Sequence, residues 1–471
     1  MHSQFQIFSG EEPVLQQTDT SNAIYDPMDV KYWDPQSLQA ELERSFDICN
    51  GCRMCFKYCP SFPTLFSILD GYADGDVKQI KEKDQNQVID ECYHCKVCYV
   101  ACPYTDKDDH AFNLNYPALM QRAVIVRAKK QGVPMRRKML QNADLLGKVN
   151  TGLISRLANK ALASNFHRAI AQTIVGIHKE KKLPEFHRTS FHRWFHLRKK
   201  KMEKEGRSLE VDPANKVVLF STCFVNYNNP QVGKEAVEVL ERHKCEIQCP
   251  SQNCCGMPGL ESGDLKWVRK KMRANLKSLH PYAEQGYRIL AINPTCSLTL
   301  KEEYVNFLEG EEREKAKLIA KQTRDLHEFL FELKQEDKFD RNFKSSPESV
   351  AYHVPCHLRA QHIGFRSRDL MKLIPENKIG LVSECCSHDG TWAMRKEYFE
   401  LSMKQGKKAF DELKEKEANV VTTDCPLAAI QLEQGMELNE RPLHPVQILN
   451  RAYKSPEEGG FAAAVPEKSG G

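Results

Sequence analysis

The 471-residue sequence lacks any apolar stretch of the roughly 20 residues that a membrane-spanning helix requires. Residues 1–19 contain neither a basic start nor an apolar run, so we expect no signal peptide and a cytoplasmic protein. The sequence also lacks a P-loop, an H-E-x-x-H motif and a G-x-G-x-x-G motif after a strand, so no nucleotide or dinucleotide site is indicated. A net charge of +5, from 68 basic and 63 acidic residues, is too small to indicate nucleic-acid binding.

Cysteine, in contrast, is abundant, with 18 residues in the chain. Disulfides are rare in the reducing cytosol, so metal ligation is the first use to consider for these thiols. The length predicts about three domains, and 41% hydrophobic residues are enough to form buried cores.

Eight cysteines form two copies of the spacing C-x2-C-x2-C-x3-C-P. The copies are Cys49, Cys52, Cys55 and Cys59-Pro60, and Cys92, Cys95, Cys98 and Cys102-Pro103. This is the bacterial-ferredoxin spacing, in which thiolates hold a [4Fe–4S] cluster. Zinc is the alternative because C-x2-C pairs also bind zinc, but zinc does not explain the third cysteine step and the Cys-Pro ending.

In two-cluster ferredoxins the fourth cysteine of each motif ligates the other cluster. We therefore predict two [4Fe–4S] clusters with exchanged ligands. One is held by Cys49, Cys52, Cys55 and Cys102, and the other by Cys92, Cys95, Cys98 and Cys59. The 32 residues between Cys59 and Cys92 include segments of helical composition at 64–69 and 77–83. The module thus resembles the helical two-cluster module of respiratory dehydrogenase iron–sulfur subunits.

Eight further cysteines fall in two quartets about 130 residues apart, which indicates a duplicated unit. The quartets are Cys223, Cys254, Cys255 and Cys296, and Cys356, Cys385, Cys386 and Cys425. The predicted strands are Lys216–Phe220, 246–249 and 288–292 in the first copy, and Ser349–His353, 381–384 and 419–422 in the second. Strands that alternate with helices predict a parallel sheet, whose carboxyl edge would gather the cysteines.

The strings from Cys223 to Pro230, from Cys254 to Pro258 and from Cys356 to Leu358 resemble the cysteine-rich CCG domain. That domain occurs in heterodisulfide reductase subunits, glycolate oxidase iron–sulfur subunits and the C subunit of anaerobic glycerol-3-phosphate dehydrogenase. The order of two ferredoxin motifs, a helical linker and two CCG units is most similar to the last of these. The resemblance covers about residues 45–450.

The sequence departs from the CCG pattern at the fifth cysteine. Full CCG units end in C-x-x-C and, in heterodisulfide reductases, bind a non-cubane [4Fe–4S] cluster. Here Thr299 and Ala428 occupy those positions, and Ser387 replaces the usual glycine after the second Cys-Cys pair. Four thiolates still allow a cubane, a [2Fe–2S] cluster or zinc, so we expect one or two further metal centres of either kind.

Four histidines lie close in sequence to the second quartet: His353, His357, His362 and His388. One of them could replace the missing thiolate, as histidine does in Rieske centres, and His388 beside the pair is the best candidate. The alternative is that they support the site or lie on the surface. Cys245 and Cys249 are expected to be buried small hydrophobes, with Cys249 a reserve ligand.

A basic segment at 179–207 raises the question of membrane contact. Within it Phe191, Trp194 and Phe195 fall on one helix face. This face could lie on an anionic membrane, or it could pack on the CCG units.

The predicted domains are a 1–40 extension, a 41–110 dicluster module, a 111–212 helical linker, CCG units at 213–340 and 341–455, and a 456–471 flexible tail.

The predicted function is electron transfer from a partner, expected to be a flavoprotein dehydrogenase, to quinone or another redox protein. The alternative is a catalytic subunit that reduces a disulfide or peroxide at a CCG-bound cluster. Zinc in the second half would instead indicate a redox sensor or structural role. We expect a cytoplasmic location, with peripheral contact at the cytoplasmic face of the inner membrane as a further possibility.

Overall fold

A computed structural model describes residues 17–462. Parts of the predicted N-terminal extension and flexible tail, residues 1–16 and 463–471, lie outside the described residues. The chain divides into one compact unit that ends at Gly132 and a second that begins at Val133. This boundary lies inside the predicted 111–212 linker.

The first unit is helical. Its helices are α1 (Pro35–Cys52), α2 (Ser61–Asp70), α3 (Glu82–Asp90), α4 (Val97–Ala101) and α5 (Tyr116–Gln131). Helix α1 begins where Asp34 accepts hydrogen bonds from the amides of Gln36 and Ser37, which satisfies two amide groups of the first turn. Segment 64–69 lies within α2, as predicted. Segment 77–83 is only partly helical, because Asp76 caps a single 3₁₀ turn and a new helix starts at Glu82.

The second unit starts with five helices that precede any strand. They are α6 (Met135–Gln141), α7 (Ala143–Asn150), α8 (Ser155–Ala163), α9 (Asn165–Ile174) and α10 (Phe191–Lys204). No helix within residues 17–462 is long and apolar enough to cross a membrane.

The first CCG repeat builds a parallel four-stranded sheet in the order β2-β1-β3-β4. Its strands are β1 (Lys216–Phe220), β2 (Glu246–Gln248), β3 (Arg288–Ala291) and β4 (Thr323–Asp325). The helices are α11 (Cys223–Tyr227), α12 (Pro230–Arg242), α13 (Met257–Ser262), α14 (Leu265–Glu284), α15 (Pro294–Leu298), α16 (Tyr304–Phe307), α17 (Gly310–Gln322) and α18 (Leu326–Gln335). A single π-helical turn, Thr299–Glu303, follows α15. The three predicted strands are found with small shifts at their ends, and β4 is additional.

The second CCG repeat builds a parallel three-stranded sheet in the order β6-β5-β7. Its strands are β5 (Ser349–His353), β6 (Lys378–Val382) and β7 (Val420–Thr423). Its helices are α19 (Cys356–Arg359), α20 (Arg366–Met371), α21 (Phe399–Lys414), α22 (Pro426–Gly435) and α23 (Pro445–Ala452). Strand β6 ends before Glu384, two residues earlier than predicted. The predicted fold class, a helical module followed by two duplicated α/β units, is confirmed.

The aromatic face of α10 packs into the core of the CCG repeats. Phe191 is fully buried and Phe195 is 5% exposed, and both join a cluster that contains residues of both sheets, such as Leu219 and Tyr352. Trp194 packs against the same cluster and is partly buried. The membrane interpretation of this face is therefore wrong, because its apolar surface already has a partner inside the protein.

Candidate metal centres

The two ferredoxin-like motifs share one backbone feature. The residue after the second cysteine has a left-handed conformation in each, with φ of 52° at Arg53 and 60° at Lys96. In the first motif the amide of Arg53 donates to the carbonyl of Cys49, which ends α1 at Cys52. These tight turns bring the first three thiols of each motif close together.

The first predicted ligand set is brought together across the two motifs. After burial, the largest influences that raise the Cys49 pKa come from the thiols of Cys55, Cys102 and Cys52. Cys102 belongs to the second motif in sequence and nevertheless lies with the first. Cys49 is buried, whereas the other three thiols are partly exposed.

The second predicted set is equally close together and fully buried. Burial and then Cys92 and Cys95 raise the pKa of Cys59, which comes from the first motif. Burial, Cys95, Cys55, Cys92 and Cys59 raise the pKa of Cys98. Since Cys55 belongs to the other set, the two sets also adjoin each other.

These thiols fit an iron–sulfur cluster in charge as well as position. Burial, Cys102 and Cys52 raise the pKa of Cys55 to about 12, so a packed set of thiolates needs a cationic core to be stable. The amides of Ser61 and Phe62 oppose this shift at Cys59. Such amide hydrogen bonds to sulfur are among the features that set cluster potentials.

The first CCG quartet gathers at the carboxyl edge of its sheet. Cys223 follows β1, the Cys254-Cys255 pair follows β2, and Cys296 lies in α15 after β3. The thiols of Cys254 and Cys296 donate to Cys255, and these bonds lower its pKa well below the usual value. Four cysteine sulfurs gathered at one place are a donor set that fits a metal or cluster.

The second CCG quartet has the same placement but a looser arrangement. Burial, Cys385 and Cys425 raise the pKa of Cys386. Cys385 accepts a hydrogen bond of 3.2 Å from the Ser387 amide. Burial has the largest effect on the pKa of Cys385 and this bond the second, and charged residues rather than other thiols come next. Cys356 opens α19 after β5.

The backbone after each Cys-Cys pair turns through a left-handed residue. Gly256 has φ of 112° and Ser387 has φ of 57°. Glycine adopts such a conformation readily, whereas a serine there is strained. The second repeat thus retains the left-handed turn although Ser387 replaces the usual glycine.

The two positions of the missing fifth cysteine differ. Thr299 Oγ1 lies within hydrogen-bonding reach of Cys255 and also 2.6 Å from the carbonyl of Thr295. Ala428 is buried in an apolar cluster with Cys386 and Cys425. Its amide and that of Leu427 are directed to the Cys425 thiol and oppose the rise of its pKa to about 11, which burial causes.

Both quartets open onto one cavity of about 360 Å³ between the two repeats. Cysteines of the first repeat that line it are Cys223, Cys254, Cys255 and Cys296, and those of the second are Cys356 and Cys425. Most of the remaining wall is apolar and includes residues of α7 and α8. Helices before the sheets therefore cover the cavity.

Sequence reasoning missed a buried acidic pair on the wall of this cavity. Burial raises the pKa of Glu261 to about 7, and burial together with Glu261 raises that of Asp389. The Thr391 amide donates to Glu261 at 3.2 Å. No motif marks this pair, because its members come from different repeats and meet only in the fold.

A second missed group lies where the repeats meet. Asp325 at the end of β4, His327 and Asp424 are buried with possible ligand atoms within 4.8 Å of one another. Nδ1 of His327 is 3.2 Å from Asp424, which also accepts a hydrogen bond of 2.6 Å from Tyr352. Asp325 caps α18. Because these carboxylates already have protein partners, the group serves as a polar link between the repeats.

Cys245 and Cys249 lie outside the quartets. Both are buried in the large apolar cluster of the CCG repeats, and burial raises the pKa of each to about 12. Neither lines the cavity, which agrees with the expectation of buried small hydrophobes.

Comparisons with known proteins agree with this arrangement. Residues 41–103 match a family described as a 4Fe-4S dicluster domain. Residues 217–301 and 350–433 match the family described as a cysteine-rich domain, CCG.

Curated relatives extend the likeness over most of the chain. The C subunit of the anaerobic glycerol-3-phosphate dehydrogenase of Escherichia coli (strain K12) is 28% identical over 420 residues, which cover 87% of this chain and 99% of the relative. The B subunit of the fumarate reductase (CoM/CoB) of Methanothermobacter marburgensis is 28% identical over 270 residues, 54% of this chain and 50% of the relative. Lactate utilization protein A of Shouchella clausii (strain KSM-K16) is 32% identical over 186 residues, 38% of this chain and 74% of the relative.

The fold and the cysteine sites define an iron–sulfur protein with a dicluster module and a duplicated cysteine-rich unit. The chain belongs to the family of proteins that carry cysteine-rich CCG domains.

Proposed function

We propose that this protein is the iron–sulfur electron-transfer subunit of a multi-subunit oxidoreductase. The observation that carries the proposal is the assembly of eight thiols into two adjoining sets that exchange their fourth cysteine. When bound, [4Fe–4S] clusters take up and release single electrons. The protein fixes their spacing because each motif contributes a ligand to both sets.

The two ligand sets of the dicluster unit differ in how exposed their thiols are. The set of Cys59, Cys92, Cys95 and Cys98 is buried, whereas Cys52, Cys55 and Cys102 of the other set reach the surface. Met54 and Phe56 beside them are each 61% exposed. An apolar surface at the accessible set is a suitable contact for a redox partner, since exposed apolar patches often mark protein interfaces.

The names of the relatives support a partner that binds the substrate. The glycerol-3-phosphate dehydrogenase and fumarate reductase relatives are each named as one subunit of a larger enzyme. We propose a flavoprotein dehydrogenase as the donor and quinone or another redox protein as the acceptor. The cofactors proposed are two [4Fe–4S] clusters and one or two iron–sulfur or zinc centres in the CCG repeats.

Helices α6 to α9 support a peripheral contact with the cytoplasmic face of a membrane. The exposed large apolar side chains on these helices and on the turn between α7 and α8 are Met135, Met139, Leu145, Leu146, Val149, Leu153, Ile154, Leu157, Phe166, Ile170 and Ile174. Residues 135–174 also carry seven Lys and Arg against one acidic residue, Asp144. Amphipathic helices with basic and apolar residues bind anionic lipid surfaces. This surface replaces α10 as the candidate for membrane contact.

Isolation of the complex from the native host tests the function. The tagged chain should co-purify with a flavin-containing subunit, and the donor substrate of that complex should reduce the chain's clusters. The chain alone should remain oxidised with the same substrate. Substrate turnover by the chain alone would contradict the electron-transfer role.

One observation favours the alternative, catalytic reduction of a disulfide or peroxide at a CCG-bound cluster. The cavity between the quartets is bordered by the Glu261–Asp389 pair, which could supply protons to a reduced ligand. Disulfide or peroxide consumption by the chemically reduced chain, lost in Glu261→Gln, would support this role. Asp369→Asn, outside the cavity lining, is the control.

A further inference from the structure

The two CCG repeats differ in what stands beside the quartet where the fifth cysteine is missing. In the first repeat the hydroxyl of Thr299 reaches Cys255. In the second repeat Ala428 has no polar side-chain atom, and it packs with Cys386 and Cys425. The second quartet therefore lacks a polar group at this position, and any additional ligand must come from another segment.

His388 is the polar side chain best placed to supply it. It follows the left-handed Ser387 directly after the Cys-Cys pair and lines the cavity together with Cys356 and Cys425. Both of its ring nitrogens are shielded from solvent, and neither makes a well-formed hydrogen bond within the described residues. A buried imidazole without a well-formed hydrogen bond is costly unless something absent from the protein itself binds it.

The polar side chains nearest to His388 are already bound to each other. Gln431 lies within hydrogen-bonding reach of His388 and opposes the lowering of the His388 pKa by burial and by Lys181, but both atoms of its amide group have other partners. Its Nε2 donates to Ser402 at 2.9 Å, and its Oε1 accepts from the ammonium group of Lys181. Lys181 also lies close enough to Cys386 to act on its charge. The surroundings thus hold a positive charge beside Cys386 and give the imidazole no well-formed hydrogen bond within the described residues.

The other histidines close in sequence to the second quartet are not available in the same way. His353 contacts Thr423 Oγ1 and the carbonyl of Glu384, both at 3.2 Å. His357 lines the cavity but lies 2.9 Å from Thr295 Oγ1. His362 is exposed.

We propose that the imidazole of His388 is a ligand of the metal centre at the second cysteine quartet. The inference rests on the proposal that this quartet holds a metal, either iron–sulfur or zinc. Neutral imidazole is a good ligand for both metals, and histidine ligation raises the potential of an iron–sulfur centre. The second repeat would then hold a centre with a mixed nitrogen and sulfur ligand set.

The test compares His388→Ala with His362→Ala, the exposed histidine of the same repeat, in the full chain purified without oxygen. For an iron centre, pulsed electron paramagnetic resonance should detect a strongly coupled nitrogen in the wild type and in His362→Ala. This coupling should vanish in His388→Ala. For a zinc centre, X-ray absorption at the zinc edge should show nitrogen at about 2.0–2.1 Å beside sulfur at about 2.3 Å, and the nitrogen should be lost in His388→Ala.

A second variant separates ligand loss from misfolding. His388→Cys should bind the metal through sulfur alone, with the spectra of the dicluster unit unchanged. Three results would each overturn the proposal. They are nitrogen coordination that persists in His388→Ala, a wild-type centre with sulfur ligands only, and the absence of metal at the second quartet. None of these results affects reduction of the dicluster unit by a partner, so the proposed function is tested separately.

Discussion

The exchange of the fourth cysteine between the ferredoxin-like motifs makes a prediction that sequence order alone would not make. Replacing Cys59 by alanine, which offers no ligand, should damage the centre of Cys92, Cys95 and Cys98 and leave the other centre intact. The reason is that the Cys59 thiol lies with Cys92 and Cys95 rather than with the other thiols of its own motif.

The magnitude follows from counting the centres that each variant affects. Two [4Fe–4S] clusters contain about 8 irons, so loss of one centre removes about 4. Cys59→Ala combined with Cys92→Ala affects one centre and should still remove about 4 irons. Cys59→Ala combined with Cys49→Ala affects both and should remove about 8. The two double variants differ by one whole cluster although each lacks two cysteines.

The assay is iron and sulfide analysis of anaerobically purified chain, with paramagnetic resonance spectra of the reduced protein. Cys245→Ala is the matched control, because Cys245 is buried but lies outside every ligand set. The spectra should report one remaining centre of the dicluster unit in the first double variant. The exchange of the fourth cysteine would be refuted if combining Cys59→Ala with Cys92→Ala removed both centres. It would also be refuted if combining Cys59→Ala with Cys49→Ala removed only one.

Three further predictions concern the CCG repeats and the helices before them. Thr299→Val removes a hydroxyl near the first Cys-Cys pair and should raise the pKa of the Cys255 thiol and lower the potential of an iron–sulfur centre there, which redox titration measures. Leu157→Glu places a charge on a side chain that is 70% exposed and should weaken binding to anionic vesicles by more than about tenfold, since burying one leucine contributes about 1.5–3 kcal/mol. Phe191→Ala removes a fully buried ring and should lower the free energy of unfolding by about 3–5 kcal/mol, measured by denaturant titration.

Each of these predictions has a control in the chain. Thr299→Ser retains the hydroxyl and should behave like the wild type. Leu209→Glu, on a side chain that is 42% exposed outside α6 to α9, should leave vesicle sedimentation unchanged. Leu197→Ala, 55% exposed on the same helix as Phe191, should cost less than about 0.5 kcal/mol. An unshifted potential in Thr299→Val would contradict the role of the hydroxyl. Wild-type protein that does not sediment with anionic vesicles would contradict membrane binding, and equal stability of the two α10 variants would contradict the burial of Phe191.

The sequence predicted the strands of the CCG repeats well because they are short, apolar and repeated. Lys216–Phe220 and Ser349–His353 have the predicted bounds. Strand β4, three residues long and polar in composition, carries no apolar run that would predict it. It forms only because the sheet provides a hydrogen-bonding edge next to β3.

The parts that could not be predicted depend on contacts between distant segments. Helix α10 has the composition of a basic membrane-surface helix, and only its place in a core cluster that includes residues of both repeats shows that Phe191 is part of a core. The Glu261–Asp389 pair likewise joins residues of different repeats. Local patterns hold no information about such pairs, since neither residue is unusual in its own segment.

Duplication explains why the two quartets occupy the same place and why they need not perform the same chemistry. Parallel strands bring their carboxyl ends to one edge, so each repeat places its cysteines there whatever residues surround them. The environment of the thiols is then set by single substitutions in loops and at helix starts, such as Thr299 in one repeat and Ala428 in the other. A hydroxyl beside one quartet and a buried imidazole beside the other would give clusters bound there different potentials, because hydrogen bonds and ligand type both tune a cluster. One scaffold can therefore hold two unequal centres on a single cavity, and unequal potentials are what directed transfer of electrons between two sites requires.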